Sequence, residues 1–354
     1  MATSIVPVTS SLLGAIKNLA LQPLVPGSVL LFLAYAPTDV VQRVLSSPAI
    51  QRLLGSTDAR LPLRILLALG SIRVVNGFLS RWALNNWSVS AQRGWDWNGE
   101  LAVVTGGSSG IGRAIVLGLV AKGVQVVVLD VQALPADMAK VSAIKHWECD
   151  MTSAEAVREA ADDIRMKLGH PTIVINNAGI AHSSTILESS DAYLQKIMGV
   201  NLRALWSTAR EFVPNMVLKN KGHVVTIASM ASFVTIPTSV HYSATKAGAL
   251  AFNEGLKCEL KHFHKAPGVL TTVVHPMWVA TDMTAPYADR IVKGQGPMMS
   301  PQDVADAVLK QIYSRKGGHV FVPGNVWWIS IIRGLPSWMQ EYMRDISAKR
   351  TLAQ

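Results

Sequence analysis

Hydrophobic positions follow two regimes along the 354 residues. Up to about Trp95 they gather in two apolar stretches, residues 24–36 and 61–79, dominated by Leu, Val, Ile and Pro, with no glycine-rich turn of the kind a nucleotide uses. Pro26 interrupts the first and Arg64, Arg73 and Asn76 the second, so neither is a clean run of about 20 apolar residues. Each fits a tilted span, a re-entrant segment or a helix lying in the interface with its arginines at headgroup level, and the alternative is a soluble helical cap. After a Trp-Asp-Trp-Asn-Gly linker (95–99), short runs rich in Val and Ile alternate with longer helical patterns. That alternation predicts an α/β domain, a doubly wound parallel sheet with helices on both faces. Strands are predicted at 101–105, 124–130, 143–149, 173–176, 223–228, 269–274 and 320–322, reading as continuous apolar runs as central parallel strands do. Helices are predicted to start at Ile111, Ser153, Asp191, Tyr242 and Pro301, the last with Ser300 as its cap.

Beyond the last strand come Trp327, Trp328, Ile329, Ile331 and Ile332, then Arg333, Leu335, Pro336, Trp338 and Met339. Tryptophan beside basic residues in an apolar tail suits the edge of a bilayer. Packing on the N-terminal module or covering a substrate pocket explains the tail equally well. Residues 278–299 carry no strong helix or strand signal, and a loop this long in a compact domain is usually a lid or a binding loop. Trp278, Met283, Tyr287, Met298 and Met299 would line it with adaptable apolar side chains, which points to a lipophilic substrate.

Composition narrows the partners. The net charge is +10, yet basic residues are scattered without a Lys/Arg run, so nucleic acid is not expected, and an anionic membrane surface or an electropositive dinucleotide cleft remains. Cys149 and Cys258 are too few and too far apart for a disulfide framework, which fits a reducing, cytosol-facing compartment. No metal site is expected, because His262 and His264 lack partners at ligand spacing. Nor is a cleavable signal peptide, since residues 1–11 carry no positive side chain.

Candidate chemistry begins at Thr-Gly-Gly-Ser-Ser-Gly-Ile-Gly (105–112), between a predicted strand and a predicted helix, where backbone N–H groups and a helix N-terminus would meet a pyrophosphate. Gly106, Gly110 and Gly112 permit the tight turn. Without a Gly-Lys-Ser/Thr, a P-loop nucleotidase is not supported. Asp130 closes the second strand, where a carboxylate accepts from ribose hydroxyls and repels a 2′-phosphate, so NAD is favoured over NADP, with NADP left open. Tyr242 and Lys246, four residues apart, share a helical face. A neighbouring cation favours phenolate and draws a phenol down from about 10.

The loop 105–112, Asn-Asn-Ala-Gly at 176–179, Asn201, Ser229 and Tyr-Ser-Ala-Thr-Lys at 242–246 occur in the order and spacing of the short-chain dehydrogenase/reductase family, which the chain resembles over about residues 100–322. The stretch 222–229 and the apolar N-terminal extension are similar to the membrane-associated branch of retinol dehydrogenases and 17β-hydroxysteroid dehydrogenase-like enzymes. The resemblance implies a Rossmann-type seven-stranded domain at 96–325, after a membrane-associating extension at 1–95 and before an amphipathic tail at 326–354. It implies Tyr242 as proton donor and acceptor, Lys246 lowering the phenol and bonding the nicotinamide ribose, Ser229 holding the substrate oxygen, and Asn201 steadying a water. Cofactor contacts would come from Gly106, Ser108, Ser109, Gly110, Ile111, Gly112, Asp130, Asp150, Asn177, Ala178, Gly179, Tyr242, Lys246, Val279 and Thr281. One departure is Met277, where the family usually has glycine after proline. The implied activity is interconversion of a lipophilic alcohol and its carbonyl by a homodimer on the endoplasmic reticulum or a lipid droplet, its catalytic domain facing the cytosol. Alternatives are an NADPH-dependent biosynthetic ketoreductase and a non-catalytic NAD-sensing membrane scaffold.

Overall fold

The computed structural model describes residues 19–48 and 60–352, and the chain divides into two compact units after Ala83. In the first unit, α1 (Leu24–Tyr35) takes Pro26 in its opening turn, where the missing N–H has no intrahelical partner to lose. Next come α2 (Thr38–Leu45) and α3 (Arg60–Leu84). Arg64, Arg73 and Asn76, which interrupt the apolar run in sequence, do not interrupt α3, because polar side chains leave the backbone ladder intact. Its 25 residues span about 37 Å at helical rise. Leu61, Ile65, Leu69, Ile72, Val75 and Phe78 are all exposed. Among the described residues it is the helix long and apolar enough to cross a membrane, by length and composition.

The second unit is the predicted α/β domain. Its elements are β1 (Leu101–Thr105), α4 (Gly110–Val120), β2 (Gln125–Asp130), β3 (Ile144–Glu148), α5 (Ala154–Leu168), β4 (Ile173–Asn176), α6 (Asp191–Met198) and α7 (Ala204–Lys219), the last two joined by a π-turn at Gly199–Arg203. Then follow β5 (Gly222–Ile227), α8 (Val240–His262), β6 (Val269–Pro276), α9 (Ala288–Gln295), α10 (Pro301–Tyr313), β7 (Gly318–Val322), a 3₁₀ segment Gly324–Gly334 and α11 (Ser337–Leu352). The strands form one parallel sheet in the order β3-β2-β1-β4-β5-β6-β7.

Alternate residues of β1, β2, β4 and β5 feed different faces that are both covered, which is why these strands read as unbroken apolar runs, whereas edge strand β3 (Ile-Lys-His-Trp-Glu) is partly exposed. Ala102, Val104, Val126 and Val128 pack with Ile115, Val116 and Leu119 of α4 and Val304, Val308 and Ile312 of α10. Val103, Val127, Val174 and Val224 pack with Ile164 of α5, Phe212 and Met216 of α7 and Leu260 of α8. Helix starts follow their caps: the Ser153 hydroxyl accepts from Ala156 N–H, and Ser300 and Asp303 form a capping box around Pro301. Because the chain leaves β1 toward β2 and β3 and then returns to β4, a crevice opens at the carboxyl ends of β1 and β4.

One segment differs from expectation. Within 278–299 the chain forms α9 after a 3₁₀ turn at Ala285–Tyr287, an amphipathic helix of eight residues too short to signal itself in sequence. The tail at 326–354 forms the 3₁₀ segment followed by the 16-residue α11.

Burial holds three histidines of this unit neutral. His223, with Nε2 paired to Thr272 Oγ1 at 2.8 Å, is pushed down to about 3, as is His275, and His319 to about 4. Between those values and the unfolded value near 6.5 the unfolded chain binds more protons, so stability is lost as pH falls below about 6.5. Urea midpoints measured from pH 7.5 down to 4.5 are expected to fall, and His223→Gln, which cannot titrate, is expected to make the decline shallower.

Candidate active site

The crevice is walled first by the β1–α4 loop. Gly106 and Gly110 hold left-handed φ of +64° and +52°. A Cβ on Gly112 would stand 2.1 Å from the Gly106 carbonyl oxygen, so the loop folds against the start of α4 with no room for a side chain. Thr105 and Asn177 tie this loop to the turn after β4. The Asn177 side chain donates to the Thr105 and Gly106 carbonyls at 3.1 and 2.8 Å, and Thr105 Oγ1 accepts from the N–H groups of Asn177 and Ala178, both at 3.0 Å. Sequence reading placed Thr105 only at the loop's edge, since no local signal reveals a tie to residues 72 positions away.

Asp130 is 9% exposed, and its carboxylate accepts from Ser108 N–H and Gln132 N–H, each at 3.0 Å. It therefore fixes the glycine loop as well as lining the cavity, and its remaining lone pairs are what a ribose would meet. Asp150 accepts from Thr152 N–H at 2.8 Å and lines the same cavity. A left-handed glycine loop, the N-terminus of an 11-residue helix and a strand-end carboxylate fit a nicotinamide dinucleotide.

At the other end stand Ser229, Tyr242 and Lys246. Ser229 follows β5, its Oγ accepting from Ala231 N–H at 3.1 Å, while His275 Nδ1 lies 3.2 Å from its carbonyl. Lys246 is 5% exposed; Nζ donates to the Ile227 carbonyl at 2.8 Å and sits 5.5 Å from the Tyr242 ring centroid. Burial pushes this ammonium down to about 8. Burial also raises the Tyr242 phenol above its ordinary value, and the hydrogen bond with Ser229 offsets only part of that. This reverses the expectation that Lys246 draws the phenol down: the ammonium is itself desolvated and its hydrogen bond goes to a backbone carbonyl.

Asn201 sits in the π-turn, a helical irregularity common at functional sites. Its Oδ1 accepts from Ile180 N–H at 2.8 Å, and its Nδ2 donates to the Ile180 carbonyl at 2.9 Å and to Thr245 Oγ1 at 3.2 Å. The amide thus braces the loop after β4 against α8.

These groups share one cavity of about 890 Å³. Every site residue expected from sequence lines it except Ser108, Gly112 and Asn201, which stand behind the wall. Of the expected apolar lid, Trp278, Met283 and Tyr287 line the cavity with Met277, whereas Met299 packs on the core and pairs with Val279. The tail also contributes, through Trp328, Ile329, Ile332, Met343 and Ile346. Sequence reading did not single out His182, Ser183 or Thr238, which form the wall beside Tyr287. Among the described residues no cluster of His, Cys, Asp and Glu could hold a metal ion.

A strand-end carboxylate, a glycine cradle and a Ser-Tyr-Lys group lining one cavity define a nicotinamide-dependent oxidoreductase. The short chain dehydrogenase model matches residues 100–291, and the chain belongs to that family. It is an NAD(P)-dependent alcohol dehydrogenase or reductase of the branch that resembles hydroxysteroid and retinol dehydrogenases. Dehydrogenase RED2 of Cochliobolus heterostrophus is 36% identical over 209 residues, 59% of this chain and 78% of the relative. Human estradiol 17-beta-dehydrogenase 11 is 27% identical over 259 residues, 71% of this chain and 84% of that protein. In fold, the chain is similar to ligand-free aldohexose dehydrogenase of Thermoplasma acidophilum, with a TM-score of 0.55 at 24% identity over 63% of this chain and 92% of the other.

Gly112→Ala forces a methyl group into the Gly106 carbonyl. Calorimetric titration with NADH and with NADPH is expected to show that it weakens both by at least about tenfold, as a distorted phosphate cradle would.

Proposed function

We propose that the protein interconverts a lipophilic alcohol and its carbonyl at a membrane surface, with Tyr242 as acid and base and NAD(H) as the preferred cofactor. The observation that carries this reading is the desolvated Tyr242 phenol beside Ser229 in a cavity also lined by Met277, Trp278, Met283, Trp328 and Ile332. Bound nicotinamide supplies the two-electron hydride chemistry. The chain's own residues manage the proton and the oxygen. Ser229 donates a hydrogen bond to the substrate oxygen, so that charge developing there is met by a fixed dipole. Burial keeps the Tyr242 phenol protonated at neutral pH, which suits it to give a proton to a carbonyl oxygen; in alcohol oxidation its phenolate form accepts the proton that the alcohol gives up. Lys246, fixed by the Ile227 carbonyl, supplies the positive charge nearby.

Asp130 supports NAD(H), since a 2′-phosphate would stand against a carboxylate already fixed in the wall. The exposed apolar α3 supports attachment to a membrane, as endoplasmic reticulum or lipid droplet with the catalytic unit facing the cytosol. Support for a homodimer comes from α7 and α8, where Trp206, 43% exposed, packs on Phe252 at 4.8 Å and leaves an apolar face outward.

Full-length enzyme in detergent, assayed with NAD against estradiol, dodecanol, glucose and sorbitol, is expected to oxidise the lipophilic alcohols. Turnover of the sugars alone would reject the reading. Tyr242→Phe is expected to lower kcat about 10³-fold while NADH still binds, the magnitude of a lost general acid. Comparing kcat/KM with NAD and NADP, Asp130→Ala is expected to erode the preference for NAD.

A further inference from the structure

Thr238 stands two residues before α8, the helix that carries Tyr242, and its φ is +63°. A β-branched residue in the left-handed region is a true outlier, and such strain persists only where the surroundings over-determine it, as at ligand clamps. Here the surroundings do so. The Ser183 hydroxyl donates to Thr238 Oγ1 at 2.9 Å, and the Ser184 N–H donates to the Thr238 carbonyl, also at 2.9 Å. The loop that makes these bonds is fastened twice more. His241 Nε2 lies 2.9 Å from the His182 carbonyl, one residue from Tyr242. From the opposite side, the Tyr287 hydroxyl accepts from Ser183 N–H at 3.1 Å and lies 3.4 Å from His182 Nδ1. Residues 182–184 thus join the start of α8 to the 278–299 segment, and His182, Ser183, Thr238 and Tyr287 all line the cavity.

We propose that Thr238 is a substrate-positioning residue: clamped by Ser183 and Ser184, and joined through Tyr287 to the 278–299 segment, it fixes the cavity wall against which a lipophilic alcohol is held for Ser229 and Tyr242. This rests on the reading under Proposed function and deepens it. The Ser183 hydroxyl and the Ser183 and Ser184 N–H groups on this wall are spent on Thr238 and Tyr287, so they do not face an apolar molecule as unmet donors. Unpairing one of them leaves a hydroxyl or N–H seeking a partner in the cavity, which penalises an apolar occupant more than a small polar one.

The test uses full-length enzyme with NADH bound and three variants. Thr238→Val keeps the branched shape and removes the acceptor, Thr238→Ser keeps the hydroxyl, and Tyr287→Phe removes the hydroxyl that Ser183 N–H meets. Hydrogen exchange is expected to quicken about tenfold at the amides of Ser183 and Ser184 in Thr238→Val, and across 278–299 in Tyr287→Phe, with Thr238→Ser recovering most of the protection. In turnover, Thr238→Val is expected to raise KM for dodecanol about tenfold with a smaller fall in kcat, and to change KM for propanol much less. Unchanged exchange in both Thr238→Val and Tyr287→Phe overturns the proposal, as does a fall in kcat with KM constant. If exchange responds as expected and no alcohol is turned over by wild type, the clamp stands and the lipophilic-alcohol reading fails.

Discussion

Burying an ammonium beside a phenol that is itself partly withdrawn from water is the constraint around which this molecule is arranged. A charge in that position is penalised by desolvation, so both groups shift toward their neutral forms: Lys246 falls to about 8 and Tyr242 rises. The surrounding structure makes the arrangement tolerable by giving each polar atom a fixed partner. Ile227 meets Nζ, Ser229 meets the phenol, and Asn201 with Thr245 locks the adjoining backbone. Those partners lie on β5, the π-turn and α8, so their alignment depends on the parallel sheet being in register.

The sheet was legible because burial on both faces imposes continuous Val and Ile runs, and β1 and β4 were delimited in sequence to the residue. Edge strand β7 begins at Gly318, two residues before its apolar run, since backbone pairing to β6 does not require apolar side chains. The glycine loop, Asp130, Tyr242 and Lys246 are visible in sequence because their residue types recur at a fixed spacing, whereas Ser229 enters only through the family resemblance. Long-range ties are not visible there. Nothing near Thr105 announces Asn177, nothing near Thr238 announces a positive φ, and α9 is too short to establish a period. The direction of the Tyr242 shift is likewise not legible in sequence, because spacing shows a nearby cation but not the desolvation that raises the phenol.

The same cavity combines two kinds of wall. Toward the glycine loop it is polar and fixed by backbone hydrogen bonds, which suits a cofactor common to many enzymes. Toward the 278–299 segment and the tail it is made of Met, Trp and Ile, side chains that adapt to a large apolar shape. Family membership accounts for the first wall, and the substrate reading depends on the second. α3 is long and apolar enough to cross a membrane, and its apolar side chains are exposed.

The central claim is that burial, not the neighbouring lysine, sets the protonation of Tyr242. Its most direct test is a tyrosinate difference titration of the cofactor-free protein, wild type against Tyr242→Phe, repeated in Lys246→Met. The account predicts that the step belonging to Tyr242 lies above about 10 and stays there when the ammonium is removed. A Tyr242 step below about 8 that moves upward in Lys246→Met would contradict it.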